Sequence, residues 1–108
     1  MPTARVVTVR PRPGSEGEVG RIMGDIGDWL RTQKGFIANL GFVSEEERVE
    51  IVGIIFWDTR EDGDRAATTG RTLALMSELG RVAGEEGVSG GQYMVTEESA
   101  GTLKRLKQ

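Results

Sequence analysis

The most apolar stretch of the chain is IVGIIFW (51–57), seven consecutive uncharged residues that end in a tryptophan. Successive side chains of a β-strand point to opposite faces of the sheet, so a strand here presents apolar groups in both directions. The two alternating sets are Val52, Ile54 and Phe56 on one face and Ile51, Ile55 and Trp57 on the other. Both faces of this strand therefore avoid water.

Three other segments also have strand character. RVVTVRP (5–11) is a β-branched run that ends in prolines, and FIANLGFV (36–43) is followed by the acidic turn SEEER (44–48). QYMVTE (92–97) alternates between apolar and polar residues. With the strand that runs from residue 49 to 57, these segments predict four strands, the middle two forming a hairpin.

Two segments repeat apolar residues at helical spacing. The first begins after Ser15 and Glu18, which form the S-x-x-E pattern of a capping box, and is predicted to end at Gly35. The second runs from about 66 to 83, and Gly70 predicts a break in its first half. The apolar stripe of the first helix is Val19, Ile22, Met23, Ile26, Trp29 and Leu30.

Polar or glycine-rich segments separate these elements. DTREDGDR (58–65) is predicted to be a connection, and GEEGVSGG (84–91) a loop. The tail (97–108) is basic at its end, and we expect it either to fray or to form a small helical cap. No linker divides the chain, which predicts a single domain over 1–108 with a core from about 4 to 96.

The element order βαββαβ predicts a ferredoxin-like α+β fold, a four-stranded antiparallel sheet with two helices on one face. Two helices leave the other face uncovered. Exposing about five of its apolar side chains forgoes about 1.5–3 kcal/mol each, which together approaches the whole stability of a typical domain. A contiguous apolar face usually marks an interface, so we predict a homodimer that packs sheet against sheet.

The composition of the chain limits the reactions and the partners that it can have. The chain has neither histidine nor cysteine, so the commonest general base, disulfides and thiolate chemistry are missing. A net charge of −3 disfavours nucleic acid as a partner, and no apolar stretch approaches the length of a membrane span. No loop follows the spacing of a calcium site, so we expect no bound metal, and the lack of cysteine suits a cytoplasmic protein.

One long segment carries a family resemblance. GSEGEVGRIMGDIGDWLRTQKGFIANLGFVSEEERVEIVGIIFWDTRED resembles the antibiotic biosynthesis monooxygenases, a family of dimeric α+β barrels. The features that carry it are the capped helix, KGF before the second strand, the hairpin, and a strand that ends in FWDTRED. The resemblance implies a pocket between sheet and helices that binds a flat aromatic molecule. The residues it implies for that pocket are Asn39, Phe42, Trp57, Arg71, Met76 and Tyr93.

Each of the more distinctive pocket candidates also has a structural interpretation. Trp57 is expected mainly to fill the space between the third strand and the second helix, with ligand stacking as the alternative. Asn39 is disfavoured in the middle of a strand. It either orients a ligand oxygen, lies at an edge or surface position, or bonds to local backbone. Tyr93 either donates a hydrogen bond from its hydroxyl to a ligand or lies in an interface. The interface is the favoured interpretation.

The resemblance implies a monooxygenase-like protein that acts on a small phenol- or quinol-type molecule without a metal or organic cofactor. Haem-degrading relatives carry a histidine ligand and a tryptophan on the second helix, and AATTGRTLALMSEL (66–79) has neither. Without histidine, proton abstraction falls to Asp58, Glu78 or an ionised tyrosine. The alternatives are a non-catalytic dimeric module that binds a small ligand or a protein, and an isomerase on the same fold.

Overall fold

The computed structural model describes residues 1–84 and 87–107. The helices and strands follow the order that the sequence predicts, with two additional helices. The elements are β1 (Thr3–Val9), α1 (Glu16–Leu30), β2 (Phe36–Val43), β3 (Ile51–Trp57), α2 (Arg60–Ala67), α3 (Gly70–Ala83), β4 (Val88–Met94) and α4 (Glu97–Lys107). The predicted ferredoxin-like α+β architecture is confirmed.

The four strands form one antiparallel sheet in the order β2-β3-β1-β4. β1 and β3 are central, and β2 and β4 form the edges. A register shift in β2 between Phe36 and Ala38 places Phe36 opposite Trp57. The bulge therefore turns Phe36 toward the main core, while Ile37 packs against the cluster on the other face.

The main core lies between one face of the sheet and the helices α1, α2 and α3. It contains the apolar stripe of α1, which was predicted from its spacing, and the corresponding stripe of α3. Its buried members are Val9, Val19, Ile22, Ile26, Leu30, Ile55, Trp57, Ala66, Leu75, Leu79, Val82 and Ala83. This is the face to which Ile51, Ile55 and Trp57 point.

The opposite face of the sheet is partly covered by α4. Leu103 is buried there with Ala4 and Val95, and Ile54 and Phe56 pack against them. Of the two expectations for the tail, helical cap and frayed end, the structure has the helix, while Gln108 lies outside the described residues. The chain itself thus covers part of the second face, which the two-helix interpretation of the sequence had left bare.

α1 starts where the sequence predicts, after Ser15, but its cap and its end differ from the prediction. Ser15 occupies the N-cap but makes no side-chain capping bond; its hydroxyl donates to the carbonyl oxygen of Arg12 at 2.7 Å. The helix ends at Leu30, and turns with short-range hydrogen bonds lead to Gly35, where φ is 85°. The predicted capping box is wrong, because the Ser15 hydroxyl is engaged with Arg12 instead. The extension to Gly35 is wrong because turns take over after Leu30.

The segment 58–65, predicted as a connection, contains most of α2. Thr59 caps this helix by accepting the backbone N–H of Asp62 at 3.1 Å. The expected break near Gly70 is confirmed, since α2 ends at Ala67 and Thr69 caps α3. A capped first turn thus makes a helix from residues whose composition resembles a loop.

The remaining differences are at the edges of the sheet. β1 begins two residues earlier than its predicted start at Arg5, because Thr3 and Ala4 already pair with β3 and β4. β4 begins at Val88, inside the segment 84–91 that was predicted as a loop. Residues 85 and 86 of that segment lie outside the described residues. Among the helices that the structure describes, none is long and apolar enough to cross a membrane.

Candidate functional site

A partly open cavity of about 460 Å³ lies between the helix-covered face of the sheet and the helices. Small residues in its lining leave this space unfilled. Gly90 of β4, which pairs with Val7 of β1, lies on one side, and Gly63 and Ala67 of α2 line the wall. The larger apolar residues of its lining are Val6, Val7, Ile26, Leu30, Ile55, Trp57 and Met76. A mostly apolar space of this size suits a small organic molecule.

Trp57 forms the inner wall of the cavity and is only 1% exposed. Phe36 meets its indole edge to face, with ring centroids 5.9 Å apart and an interplanar angle of 83°. Gly63 approaches so closely that an added Cβ would lie 3.1 Å from Cδ1 of Trp57. The expected packing role of this tryptophan is thus evident in the geometry, and its flank also forms part of the cavity surface.

The threonines near the cavity are engaged by the protein itself. Thr72, on the cavity wall, donates to the carbonyl oxygen of Ala66 at 2.7 Å. Its hydroxyl also lies 2.9 Å from that of Thr69, which accepts the indole N–H of Trp29 at 3.0 Å. These bonds fix the junction between α2 and α3, and leave the wall around Met76 apolar.

Arg5 brings a charge to this wall. Its strand partners on the helix-covered face are Ile55 of β3 and Gln92 of β4, and both also line the cavity. The guanidinium pairs through Nη2 with the carboxylate of Asp64 on α2, while Nε is buried without a hydrogen-bond partner among the described residues. The cavity therefore combines apolar walls with one cationic edge.

Asn39 lines a smaller space of about 30 Å³ that adjoins the main cavity. The two share part of their wall, including Ile55 and Met76. The amide of Asn39 lies over Gly27 of α1, where an added Cβ would collide with it. The glycine thus lets a polar amide lie against the backbone of the helix.

The structure separates the remaining predicted residues from this cavity. Phe42 pairs with Val52 and Tyr93 pairs with Ala4, which places both on the sheet face that α4 partly covers. Phe42 is 51% exposed and Tyr93 60% exposed. Arg71 is exposed at the start of α3 and does not belong to the lining. Trp57, Met76 and Asn39 are the predicted residues that come together.

Sequence reasoning missed Arg5, Gln92 and Thr72. The signal for Arg5 was available, because it alternates in β1 with Val7 and Val9, which point into the core. A charged residue in the inward set of a central strand needs a partner or a function. Gln92 and Thr72 gave no comparable signal, since polar residues are ordinary on an edge strand and in a helix.

A larger concavity of about 880 Å³ lies at the other end of the sheet. Charged residues of both signs line it, and one of them, Arg10, pairs with Glu50 at 3.0 Å. The charged residues of its lining are Arg10, Arg12, Arg48, Glu16 and Glu47. Its walls carry charges of both signs, whereas those of the smaller cavity are mostly apolar, so the smaller cavity is the candidate site for an organic ligand. The described residues contain no cluster of three or more acidic side chains placed to hold a metal ion.

Solved structures resemble this chain over most of its length. The Rv0793 protein from Mycobacterium tuberculosis is 16% identical with a TM-score of 0.81, and the match covers 92% of this chain and 99% of that one. SnoaB, a cofactor-independent oxygenase from Streptomyces nogalater, is 16% identical with a TM-score of 0.71, covering 89% and 92%. A protein named antibiotic biosynthesis monooxygenase is 14% identical with a TM-score of 0.75, covering 87% and 98%.

The chain has the fold of the antibiotic biosynthesis monooxygenases. The resemblance predicted from sequence is thus confirmed for the fold. Comparison of the sequence with family models finds no match, and comparison with curated proteins finds none either. In this monooxygenase-like fold, the cavity beside Trp57 lies between the sheet and the helices, which is where the resemblance implied a pocket.

Proposed function

We propose that the chain is a cofactor-independent monooxygenase-like protein that binds a small phenol- or quinol-type aromatic molecule beside Trp57. The observation that carries this proposal is the cavity of about 460 Å³ in the monooxygenase-like fold. Its walls offer apolar surface from Trp57, Ile55 and Met76, and a polar edge from Arg5 and Gln92. An aromatic ring with an oxygen substituent matches that division into apolar wall and polar edge.

The chemistry we propose relies on the substrate. A quinol-type anion is itself easily oxidised and supplies the electrons for O₂; one oxygen atom enters the product and the other leaves as water. The chain would contribute binding and orientation, which are effective when the reacting groups are held close together. Such a reaction needs no resident metal or cofactor, and it is compatible with a chain that has no histidine.

The proposed assembly is a homodimer that packs the two sheets face to face. α4 covers only part of this face, and large apolar side chains remain exposed beside it. Leu40 and Phe42 of β2 and Tyr93 of β4 are examples. A second copy would bury them, and self-complementary pairing of one such patch is the usual geometry of a two-fold dimer.

A binding module without catalytic activity is the second candidate. The observation in its favour is that the described cavity lining contains no carboxylate, and the hydroxyl of Thr72 is engaged with Ala66. Without a proton acceptor on the wall, the cavity can hold a ligand and still leave it unchanged. The two candidates share the ligand class and differ in turnover.

Oxygen uptake with a panel of dihydroquinones and polyketide-type phenols tests the enzyme proposal. Ala67→Phe places a ring in the cavity, while Ala74→Phe makes the same change at an exposed position of α3. For the wild-type chain and for Ala74→Phe, we expect oxygen uptake faster than autoxidation. For Ala67→Phe, we expect uptake only at the rate of autoxidation. Isotope-labelled O₂ should place one labelled atom in the product.

Native mass spectrometry separates the two candidates. A bound aromatic that dissociates unchanged, with uptake at the autoxidation rate in all three proteins, favours the binding module. Equal uptake in all three proteins above autoxidation contradicts a reaction in this cavity. Failure of the unchanged chain to bind any aromatic probe contradicts both candidates.

A further inference from the structure

The charge in the cavity wall comes from one residue. Among the described residues that line the cavity, Arg5 alone carries a charged side chain. It belongs to the central strand β1 and lies in the inward-facing set with Val7 and Val9. A cation in this position is costly unless a neighbouring group compensates it.

The protein compensates Arg5 only in part. Asp64 accepts from Nη2, but Nε is buried and has no acceptor among the described residues. Gly63 packs directly on this Nε, since an added Cβ would lie only 2.9 Å from it. A guanidinium has five N–H donors in a fixed plane, so one carboxylate does not satisfy it.

The counterion is itself shared. Asp64 is 54% exposed, whereas the side chain of Arg5 is only 25% exposed. Arg60, one turn earlier on α2, approaches the other oxygen of the same carboxylate at 3.9 Å. Arg5 and Arg60 therefore share one carboxylate, which compensates the charge of Arg5 only in part.

We propose that Arg5 determines the specificity of the cavity by selecting aromatic ligands that carry an anionic oxygen, a carboxylate or an ionised phenol. This inference rests on the proposed function, because it assumes that the cavity binds a small aromatic molecule. The ring lies against the apolar wall at Ile55 and Met76, and the anionic oxygen meets Arg5, with the amide of Gln92 beside it. The ligand shares the guanidinium with Asp64 or displaces it toward solvent.

A purely structural role for the same pair is the competing explanation. The contact between Arg5 and Asp64 joins the sheet to α2, and removing it loosens that junction whatever the cavity binds. Stability measurements do not separate the two explanations. The preference between an anionic ligand and a neutral ligand of the same shape does, since a structural role changes the affinity for both alike.

The probes are 2-naphthoate and 2-naphthamide, which share the ring system and nearly the same shape but differ by one charge. Affinities are measured by calorimetry at neutral pH with the full chain. We expect naphthoate to bind about tenfold more tightly than naphthamide, because hydrogen bonds to charged groups are the stronger class. Arg5→Gln should remove that preference and leave the affinity for naphthamide within about twofold.

Arg81→Gln is the matched control, since it removes an exposed arginine from the last turn of α3, away from the lining. It should keep the tenfold preference. Arg5→Lys should keep part of it, because the charge remains but the planar donors are lost. If Arg5→Gln does not fold, Asp64→Asn replaces it as the test variant. Removing the carboxylate frees the guanidinium of Arg5, so the affinity for naphthoate should rise several-fold and the affinity for naphthamide should stay the same.

The outcomes distinguish this inference from the function on which it rests. Equal binding of both probes to the unchanged chain overturns the role of Arg5, while the aromatic cavity stands. A preference that persists in Arg5→Gln, or an unchanged ratio of affinities in Asp64→Asn, overturns it as well. Binding of neither probe contradicts the aromatic cavity itself, and with it the proposed function.

Discussion

The ring of Phe36 meets the indole of Trp57 edge to face across the junction of β2 and β3, with centroids 5.9 Å apart. The bulge after Phe36 makes this contact possible by placing the two residues opposite each other. Trp57 is thereby held between its strand neighbour and Gly63 of α2. The same side chain closes the core and forms the inner wall of the cavity.

Trp57→Ala should therefore destabilise the chain by about 3–5 kcal/mol, the usual cost of removing a buried aromatic side chain. Trp57→Phe should cost less, because a ring still fills most of the space. Urea unfolding followed by circular dichroism measures both. Leu73→Ala on α3, where the side chain is exposed, serves as the control and should stay within about 0.5 kcal/mol. A loss for Trp57→Ala as small as that of the control contradicts the packing role.

Two leucines of α4 offer a matched pair. Leu103 is buried against the sheet at 5% exposure, and Leu106, less than one turn later, is 64% exposed. Leu103→Ala should lower the free energy of unfolding by about 2–5 kcal/mol, because it opens a cavity in the cluster between α4 and the sheet. Leu106→Ala should cost less than about 0.5 kcal/mol. Thermal unfolding measures both, and equal small losses would mean that α4 does not dock on the sheet.

Asp62 should make stability depend on acidity. Arg65 donates to its carboxylate at 2.9 Å and, with help from Thr59, lowers the pKa of Asp62 below its ordinary value of 3.8. A group whose pKa is lower in the folded state stabilises the fold above its unfolded value. This contribution is lost as the pH falls below about 4 and through the folded pKa.

Asp62→Asn should accordingly be less stable than the unchanged chain at neutral pH, with the difference shrinking as the solution is acidified below pH 4. Urea unfolding at several pH values measures this. Arg65→Gln should move the pKa of Asp62 back toward its ordinary value, which an NMR titration of the carboxyl carbon reports. A stability difference that stays constant down to pH 2 would argue against the ion pair.

The proposed homodimer predicts the effect of a charge on the sheet face. Phe42 is 51% exposed there, so Phe42→Asp would bury a carboxylate at the interface and should convert the dimer to a monomer. Sedimentation at micromolar concentration should give twice the mass of the 11.8 kDa chain for the wild-type protein. For Phe42→Asp it should give the mass of a single chain. Leu73→Asp, on α3 away from the sheet, should leave the dimer intact. A monomeric unchanged chain contradicts the proposed assembly.

The fold was largely predictable because its signals are local. Alternation in β3 and the helical spacing of the α1 stripe were read correctly, since each depends on a repeat within one segment. The boundaries were less accurate. The S-x-x-E pattern at Ser15 predicted a cap that does not form, whereas Thr59 and Asp62, in a segment interpreted as a connection, form one. Both segments start a helix, but only Thr59 accepts a backbone N–H of its first turn.

The candidate site was less predictable, since it brings together residues far apart in the chain. Trp57 and Met76, which were predicted for a pocket between sheet and helices, line the cavity there. Phe42 and Tyr93 belong to the opposite face, which follows from the pairing of β2 with β3 and of β4 with β1. The family resemblance supplied a location for the pocket but not the register that decides which strand residues point into it.

The sequence by itself determined the element order, the two apolar faces of β3 and the helical stripes, because short-range periodicity fixes which side chains share a face. Only the tertiary structure decided which face each edge strand presents to the helices, that α4 covers part of the second face, and that Arg5 lies in an apolar wall beside Asp64. Those arrangements depend on strand register and on helix docking, which are set by contacts between distant segments and leave no repeat in the sequence.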